Sequence, residues 1–288
     1  MHGYMRLDPI PSNGQLAEFY EADYYRLIRQ GGRAHTIGAV LGGGSEAQDE
    51  CEWLRESLHG DIIAAVKEFA AGPRVLDVGC GTGGFLASAK AAGLVALGVE
   101  PSVEAADIAR SCGLEVQTAQ FDEYVARLEA NGGERFDALT MLNVLEHVPA
   151  PTAVVASAAR CLAPGGLLAI VVPNDFSEMQ KAAVDALSLD RYWVAMPDHI
   201  NYFSLGSLTR LLSACGFEVV RSQSDFPMEW FLLMGEDYVS DSAVGASCHA
   251  RRKRFERSLP AETRRELYRA LASAGAGRCC MVFARLLG

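Results

Sequence analysis

No uninterrupted apolar stretch in the 288-residue chain reaches the roughly 18 residues that a membrane-crossing helix needs. No charged-then-apolar leader pattern opens it either, so a soluble cytoplasmic protein without a membrane partner is expected. Positive charge is also scarce. Against 36 Asp and Glu there are 26 Lys and Arg, a formal net charge of −10, whereas nucleic-acid binding requires a basic face that neutralises phosphates. No nucleic-acid partner is therefore expected. The run Arg251-Arg252-Lys253-Arg254 is an exception, but Glu256 and Glu262 follow it, which reads as a solvated helix face. The eight cysteines show neither disulfide-framework nor metal-ligand spacing: Cys80 lies among glycines, Cys112, Cys161 and Cys215 fall near expected helix ends, and Cys279-Cys280 are adjacent. They read as reduced thiols, and no metal centre is expected. Internal repeats and low-complexity tracts are absent too.

What remains is an ordinary globular balance, half hydrophobic and 22% charged, long enough to bury a sizeable core. Residues 1–60 carry no strand pattern and cluster their aromatics in Phe19, Tyr20, Tyr24 and Tyr25. Gly42-Gly43-Gly44 reads as a joint, and a helix is expected over Glu50–Phe69. From Arg74 onward, short apolar runs at 74–78, 95–100, 114–118, 136–142 and 167–173 alternate with helix-length segments. That pattern signals a parallel sheet covered on both faces. Ser204 is the expected N-cap of a helix to Cys215 that Gly216 stops, and strands are expected at Phe217–Arg221 and Arg278–Leu287. Seven strands result. The organisation read from this is an N-terminal helical lid over 1–60, a cofactor-binding core over 61–225, a helical insertion over 226–275 capping an acceptor pocket, and a final core strand over 276–288.

The segment Val75–Leu86, VLDVGCGTGGFL, places Gly79, Gly81 and Gly83 after a buried strand and at the start of a helix. There the chain can turn tightly, and a ligand can approach the backbone without meeting a Cβ. Glycines in this spacing also occur in NAD and FAD sites. Two acids narrow the choice. Asp77, at the carboxyl end of the first strand, would repel a pyrophosphate but suits an ammonium group. Glu100, 17 residues after Gly83 and ending the second strand, stands where a carboxylate accepts hydrogen bonds from ribose hydroxyls.

With these residues in place, residues 74–175 resemble the core of the class I S-adenosylmethionine-dependent methyltransferases that act on small molecules. The shared segments are VLDVGCGTG, GVEPS, FDALTMLNVLEHV and LAPGGLLAIVVPN. A looser likeness runs through DHINYFS and LLSACGFEV. The resemblance implies an α/β, Rossmann-like, seven-stranded and mostly parallel sheet of order 3-2-1-4-5-7-6 with helices on both faces. It also implies S-adenosylmethionine as cofactor. By the same resemblance, Asp77, Gly79, Cys80, Gly81 and Gly83 line the methionine part, and Glu100 and Pro101 the ribose. Gln120 and Phe121 flank the adenine, with Gln120 standing where many relatives have Asp, and Asn143 and Tyr25 complete the cofactor site.

Methyl transfer from a sulfonium is an in-line displacement, so the protein aligns the partners and manages charge, with a base where the acceptor is a hydroxyl. His147, in Asn143-Val144-Leu145-Glu146-His147, reads either as that base or as a histidine ordering the loop. His199 is the second candidate, in a cluster with Tyr192, Trp193, Tyr202 and Phe203. Ubiquinone-type relatives carry E-x-x-E-H at the matching stretch and can hold a divalent cation; here Asn143 replaces the first acid. Asn174, Tyr192, Trp193 and Tyr202 are expected to contact a small-molecule acceptor. Tyr20, Tyr24 and Tyr25 read as a lid or as a packed helix, and Trp230 and Phe231 as packing. A homodimer is compatible with this reading. Two alternatives stay open, a non-catalytic module that binds S-adenosylmethionine and an NAD-dependent oxidoreductase.

Overall fold

A computed structural model describes residues 2–18 and 43–288; the expected contacts of Tyr20, Tyr24 and Tyr25 lie outside these. Among the described residues nine strands run in chain order: β1 Met5–Arg6, β2 Arg74–Val78, β3 Val95–Glu100, β4 Val116–Thr118, β5 Phe136–Leu142, β6 Leu162–Pro173, β7 Asn201–Tyr202, β8 Phe217–Gln223 and β9 Cys279–Leu286. Seven form one sheet in the order β4-β3-β2-β5-β6-β9-β8. All neighbours are parallel except around β9, which is antiparallel to both β6 and β8. Strands β1 and β7 pair separately as a short ribbon. With the ribbon left out of the count, the sheet order is 3-2-1-4-5-7-6.

Alternation along the strands builds two hydrophobic layers. Val75, Ala138, Leu167 and Ala169 face a layer with Ile62, Val66 and Phe85. Leu76, Leu139, Leu168 and Ile170 face the opposite one, with Val155, Ala158, Leu208 and Leu212. Those partners come from α3 (Leu58–Phe69) and α4 (Gly84–Ala91) on one side, and from α7 (Pro151–Cys161) and α9 (Leu205–Ala214) on the other. Between these, α5 (Val103–Ser111) and α6 (Phe121–Ala130) follow β3 and β4, and α8 (Glu178–Leu187) follows β6. Ser204 caps α9 in a reciprocal capping box with Ser207, and Gly216 ends it at φ 84°.

Three local expectations change. After α1 (Asn13–Glu18), the helix expected over Glu50–Phe69 is two helices, α2 (Gly44–Glu56) and α3. The break is at Ser57, whose N–H and Oγ both donate to the Trp53 carbonyl, at 2.9 and 2.6 Å. Strand β4 is shorter than 114–118, because Leu114 leaves the sheet to pack where a Cβ on Gly83 would stand, 2.4 Å away. Strand β6 starts five residues early, at Leu162, which pairs with Phe136 across a bulge.

Segment 226–275 holds α10 (Glu229–Leu233), α11 (Ser242–Ser258) and α12 (Ala261–Ser273), packed around Phe226, Phe231, Cys248 and Tyr268. The basic run on α11 is only half a solvated face: Arg251 and Arg254 are exposed, while Arg252 and Lys253 turn inward. Lys253 Nζ binds Asp49 and Glu50 at 2.5 and 3.1 Å, Arg257 binds Asp49 and Glu56 at 2.6 and 3.0 Å, and His249 meets Glu50 at 3.1 Å. Arg252 turns to Asp225 and Glu256, and the Trp53 indole donates to Glu256 at 2.5 Å. Helix α2 is thus clamped onto α11 by charge complementarity, and its other residues, Cys51, Leu54 and Arg55, face a cleft over the sheet.

Candidate active site

The cleft opens over the carboxyl ends of β2, β3 and β5, where ligands bind in doubly wound sheets, and encloses about 2170 Å³. Asp77, Gly79, Cys80, Gly81, Glu100, Pro101, Gln120, Phe121 and Asn143 all line it. Gly83 does not; at φ 85° it packs against Leu114 and Ala109 and serves helix packing instead.

The glycine loop differs from a phosphate cradle. Of the five N–H groups from Gly79 to Gly83, four are already engaged. Gly79 and Cys80 donate to the Val99 carbonyl at 2.8 and 3.3 Å, Gly83 donates to the Cys80 carbonyl at 3.0 Å, and Gly81 donates to Glu100 at 2.9 Å. A loop so satisfied has little left for a pyrophosphate. Gly79 allows close approach: a Cβ there would meet Val144 Cγ2 at 2.8 Å.

Glu100 is 8% exposed; one oxygen accepts from Gly81 N–H and the other from Ser102 N–H at 2.9 Å, with lone pairs left on each. Burial raises its pKa, and these two backbone bonds oppose the rise. Asp77 is 2% exposed and accepts from the Thr140 hydroxyl at 2.6 Å. Burial lifts its pKa from 3.8 to about 7, the Thr140 bond opposes the shift, and the nearby Glu100 charge adds to it. Two acids therefore face one cleft in an apolar setting, which a cationic ligand would relieve.

Further along, the loop after β5 carries Asn143, at φ 56°, then Glu146 and His147. Asn201 pins this loop. Its buried amide donates to the Leu145 and Val148 carbonyls at 2.9 and 2.7 Å, while Ile200 and Asn201 N–H groups donate to the Glu146 carbonyl. Replacing Asn201 with Ala strands both carbonyls and should cost about 1–2 kcal/mol of stability, read from denaturant unfolding.

His147 Nδ1 lies 2.9 Å from the Asp198 carbonyl, which only accepts, so Nδ1 carries the proton and Nε2 keeps its lone pair. His199 stands edge-on to it, with ring centroids 4.8 Å apart. Glu146 is 1% exposed, and burial first, then the Asp175 charge, pushes its pKa up to about 8. Ligand atoms of Glu146, His147 and His199 lie within 4.8 Å of one another, a cluster that could hold a divalent ion and that spacing along the chain does not reveal. Two imidazoles with one carboxylate suit a transition ion better than magnesium.

The acceptor-side residues separate. Tyr192 and Trp193 line the cleft, and Tyr192 donates to buried Glu229 at 3.1 Å. Tyr202 packs behind the lining, edge-on to Phe176 and near His199. Asn174 does not reach the cleft: its amide donates to the Gly275 and Gly277 carbonyls at 3.1 and 3.0 Å, tying the end of β6 to the turn before β9. The sequence reading missed Thr140, Asp198, Asn201 and Arg278. Of these, Asp198 and Asn201 had a local sign in DHINYFS and Thr140 in FDALTMLNVLEHV, whereas Arg278 had none.

A mostly parallel sheet with two buried acids and an internally hydrogen-bonded glycine loop at its carboxyl edge defines a Rossmann-like protein for a nucleoside cofactor. A family profile described as a methyltransferase domain matches residues 52–222, more than half of the chain, which therefore belongs to that family. Its fold is that of the class I S-adenosylmethionine-dependent methyltransferases. The ubiquinone biosynthesis O-methyltransferase of Xanthomonas oryzae pv. oryzae is 41% identical over 117 residues, 40% of this chain and 48% of that protein. The chain thus spans about half the length of the curated relatives it matches. A methyltransferase structure from Archaeoglobus fulgidus aligns at TM-score 0.53 and 17% identity, covering 91% of this chain and all of that one. The cyclase SpnF aligns at TM-score 0.54 and 18% identity, covering 97% and 99%. At such identities the likeness is one of fold. Among the described residues, no helix is long and apolar enough to cross a membrane.

Proposed function

We propose that the protein transfers the methyl group of S-adenosylmethionine to a hydroxyl or amine of a small-molecule metabolite in the cytoplasm. The observation that carries this is the pairing of a self-satisfied glycine loop with buried Asp77 and Glu100 in one cleft. Such a site fits a cationic amino-acid nucleoside and opposes the pyrophosphate of NAD. Asp77 meets the ammonium, Glu100 the ribose hydroxyls, and Gln120 and Phe121 the adenine. The cofactor supplies the leaving group; His147 Nε2 takes the acceptor's proton, with Tyr192 and Trp193 flanking the acceptor.

Binding should depend on pH with a defined sign. Burial raises the Asp77 pKa to about 7, so its neutral form favours the folded apo-protein. That stabilisation is complete below pH 3.8 and is lost as pH rises through 7. An ammonium ligand needs the ionised acid, so affinity for S-adenosylhomocysteine should rise by up to about tenfold per pH unit below 7 and then level off. Calorimetry in buffers of different ionisation enthalpy should record proton release near pH 6.5, and Asp77→Asn should abolish both effects. A flat profile in the unmodified protein would remove Asp77 from the ammonium site.

A second reading has a specific observation behind it, the Glu146, His147 and His199 cluster. A divalent ion there would take the Nε2 lone pair of His147 and lower the pKa of a bound acceptor hydroxyl directly. Extensive chelation separates the two: a base mechanism keeps its rate, and a metal mechanism loses it and regains it with added zinc or manganese. The cyclase SpnF shares the fold, so fold alone does not choose the reaction, and a non-catalytic cofactor-binding role is the outcome if turnover is never found.

A further inference from the structure

We propose that Arg278 is the anchor for a carboxylate on the methyl acceptor, which makes the substrate an acidic metabolite bearing the hydroxyl or amine to be methylated. The proposal rests on the small-molecule methyltransferase reading and narrows its substrate class.

Arg278 lies just before β9 and lines the same cleft as the cofactor loop, on the acceptor side with Tyr192 and Trp193. Its side chain is 29% exposed, and its guanidinium carbon stands 6.0 Å from the Tyr192 ring centroid. Nη1 is the inward end, buried and 3.5 Å from Asp175 Oδ1, outside hydrogen-bonding geometry. None of its N–H groups makes a hydrogen bond within that geometry to another described residue, so the donors on the exposed side of the fork remain for a ligand.

Two buried carboxylates, Asp175 and Glu229, raise the Arg278 pKa against the desolvation that lowers it. They hold the cation in place without using its outward donors, since Glu229 Oε1 already accepts from Tyr192. A planar fork held from behind, with donors facing a cleft, matches the two oxygens of a carboxylate. The aromatic chain His199, Tyr202, Phe176, Trp193, Tyr192 connects this fork to the histidine pair by successive ring contacts. The Tyr192 ring, backed edge-on by buried Trp193, suits one side of a planar acceptor body, with its acid at Arg278 and its nucleophile near His147.

The test uses the protein loaded with S-adenosylhomocysteine, with benzoate and its neutral isostere benzamide as calorimetric probes. Benzoate should bind saturably and benzamide at least about tenfold more weakly. In Arg278→Gln the benzoate preference should vanish while affinity for S-adenosylhomocysteine is unchanged, and Arg278→Lys should retain part of it. The comparison in the unmodified protein needs no variant, so a folding defect cannot hide the result. Equal affinity for the two probes, no benzoate binding, or a preference that survives Arg278→Gln overturns the proposal. Should S-adenosylhomocysteine itself fail to bind, the cofactor reading falls instead, and the same probe pair on the unliganded protein judges Arg278 separately.

Discussion

Replacing His147 with Ala is expected to lower turnover by about 10²–10⁴-fold at saturating cofactor, the range that a positioned acid or base contributes. The Asp198 carbonyl takes the Nδ1 proton, which leaves the lone pair of the neutral ring on Nε2, 3.8 Å from Glu146 Oε1. Cofactor affinity should change little, because His147 is separate from Asp77 and Glu100, the acids proposed to hold the nucleoside. That split between turnover and binding separates a base from a packing histidine. His199→Ala should have a smaller effect, since its ring supports His147 edge-on. Equal and near-normal rates in both variants would leave alignment of the two substrates as the whole mechanism.

Glu100→Ala should weaken S-adenosylhomocysteine binding by about 10²-fold or more, larger than the loss of two exposed hydrogen bonds would give. The carboxylate does two things at once. Its free lone pairs face the cleft, and its engaged ones tie Gly81 in the glycine loop to Ser102 after β3. Removing it should therefore loosen the glycine loop as well as take away the acceptor proposed for the ribose. Glu100→Gln keeps one acceptor oxygen and should recover part of the loss. Affinity unchanged in Glu100→Ala, measured by calorimetry, would show the ribose to lie elsewhere.

Much of this fold could be read from the chain, because its strands are buried on both faces and so appear as continuous apolar runs. The glycine loop, the N-cap at Ser204 and the stop at Gly216 are local signals and are found where expected. What escaped depends on partners far away in sequence. Thr140 meets Asp77 because β5 pairs with β2 in one particular register, which no local pattern encodes. Arg278 reaches the cleft because β9 inserts antiparallel beside β6, bringing residues some hundred positions apart to one edge. Asn174 looked like a cleft residue from its place at a strand end, yet two turn carbonyls claim its amide. Lys253 in the basic run on α11 looked solvated because its counter-charges, Asp49 and Glu50, sit some two hundred residues earlier. Charge complementarity between distant helices is invisible until both are placed.

The central assignment is a cleft for a cationic nucleoside without phosphates, and competitive calorimetry with S-adenosylmethionine, S-adenosylhomocysteine and NAD at pH 8 tests it most directly. Both S-adenosyl ligands should bind one per chain and compete with each other, and NAD should give no heat of binding. Saturable NAD binding that displaces S-adenosylhomocysteine would contradict the assignment.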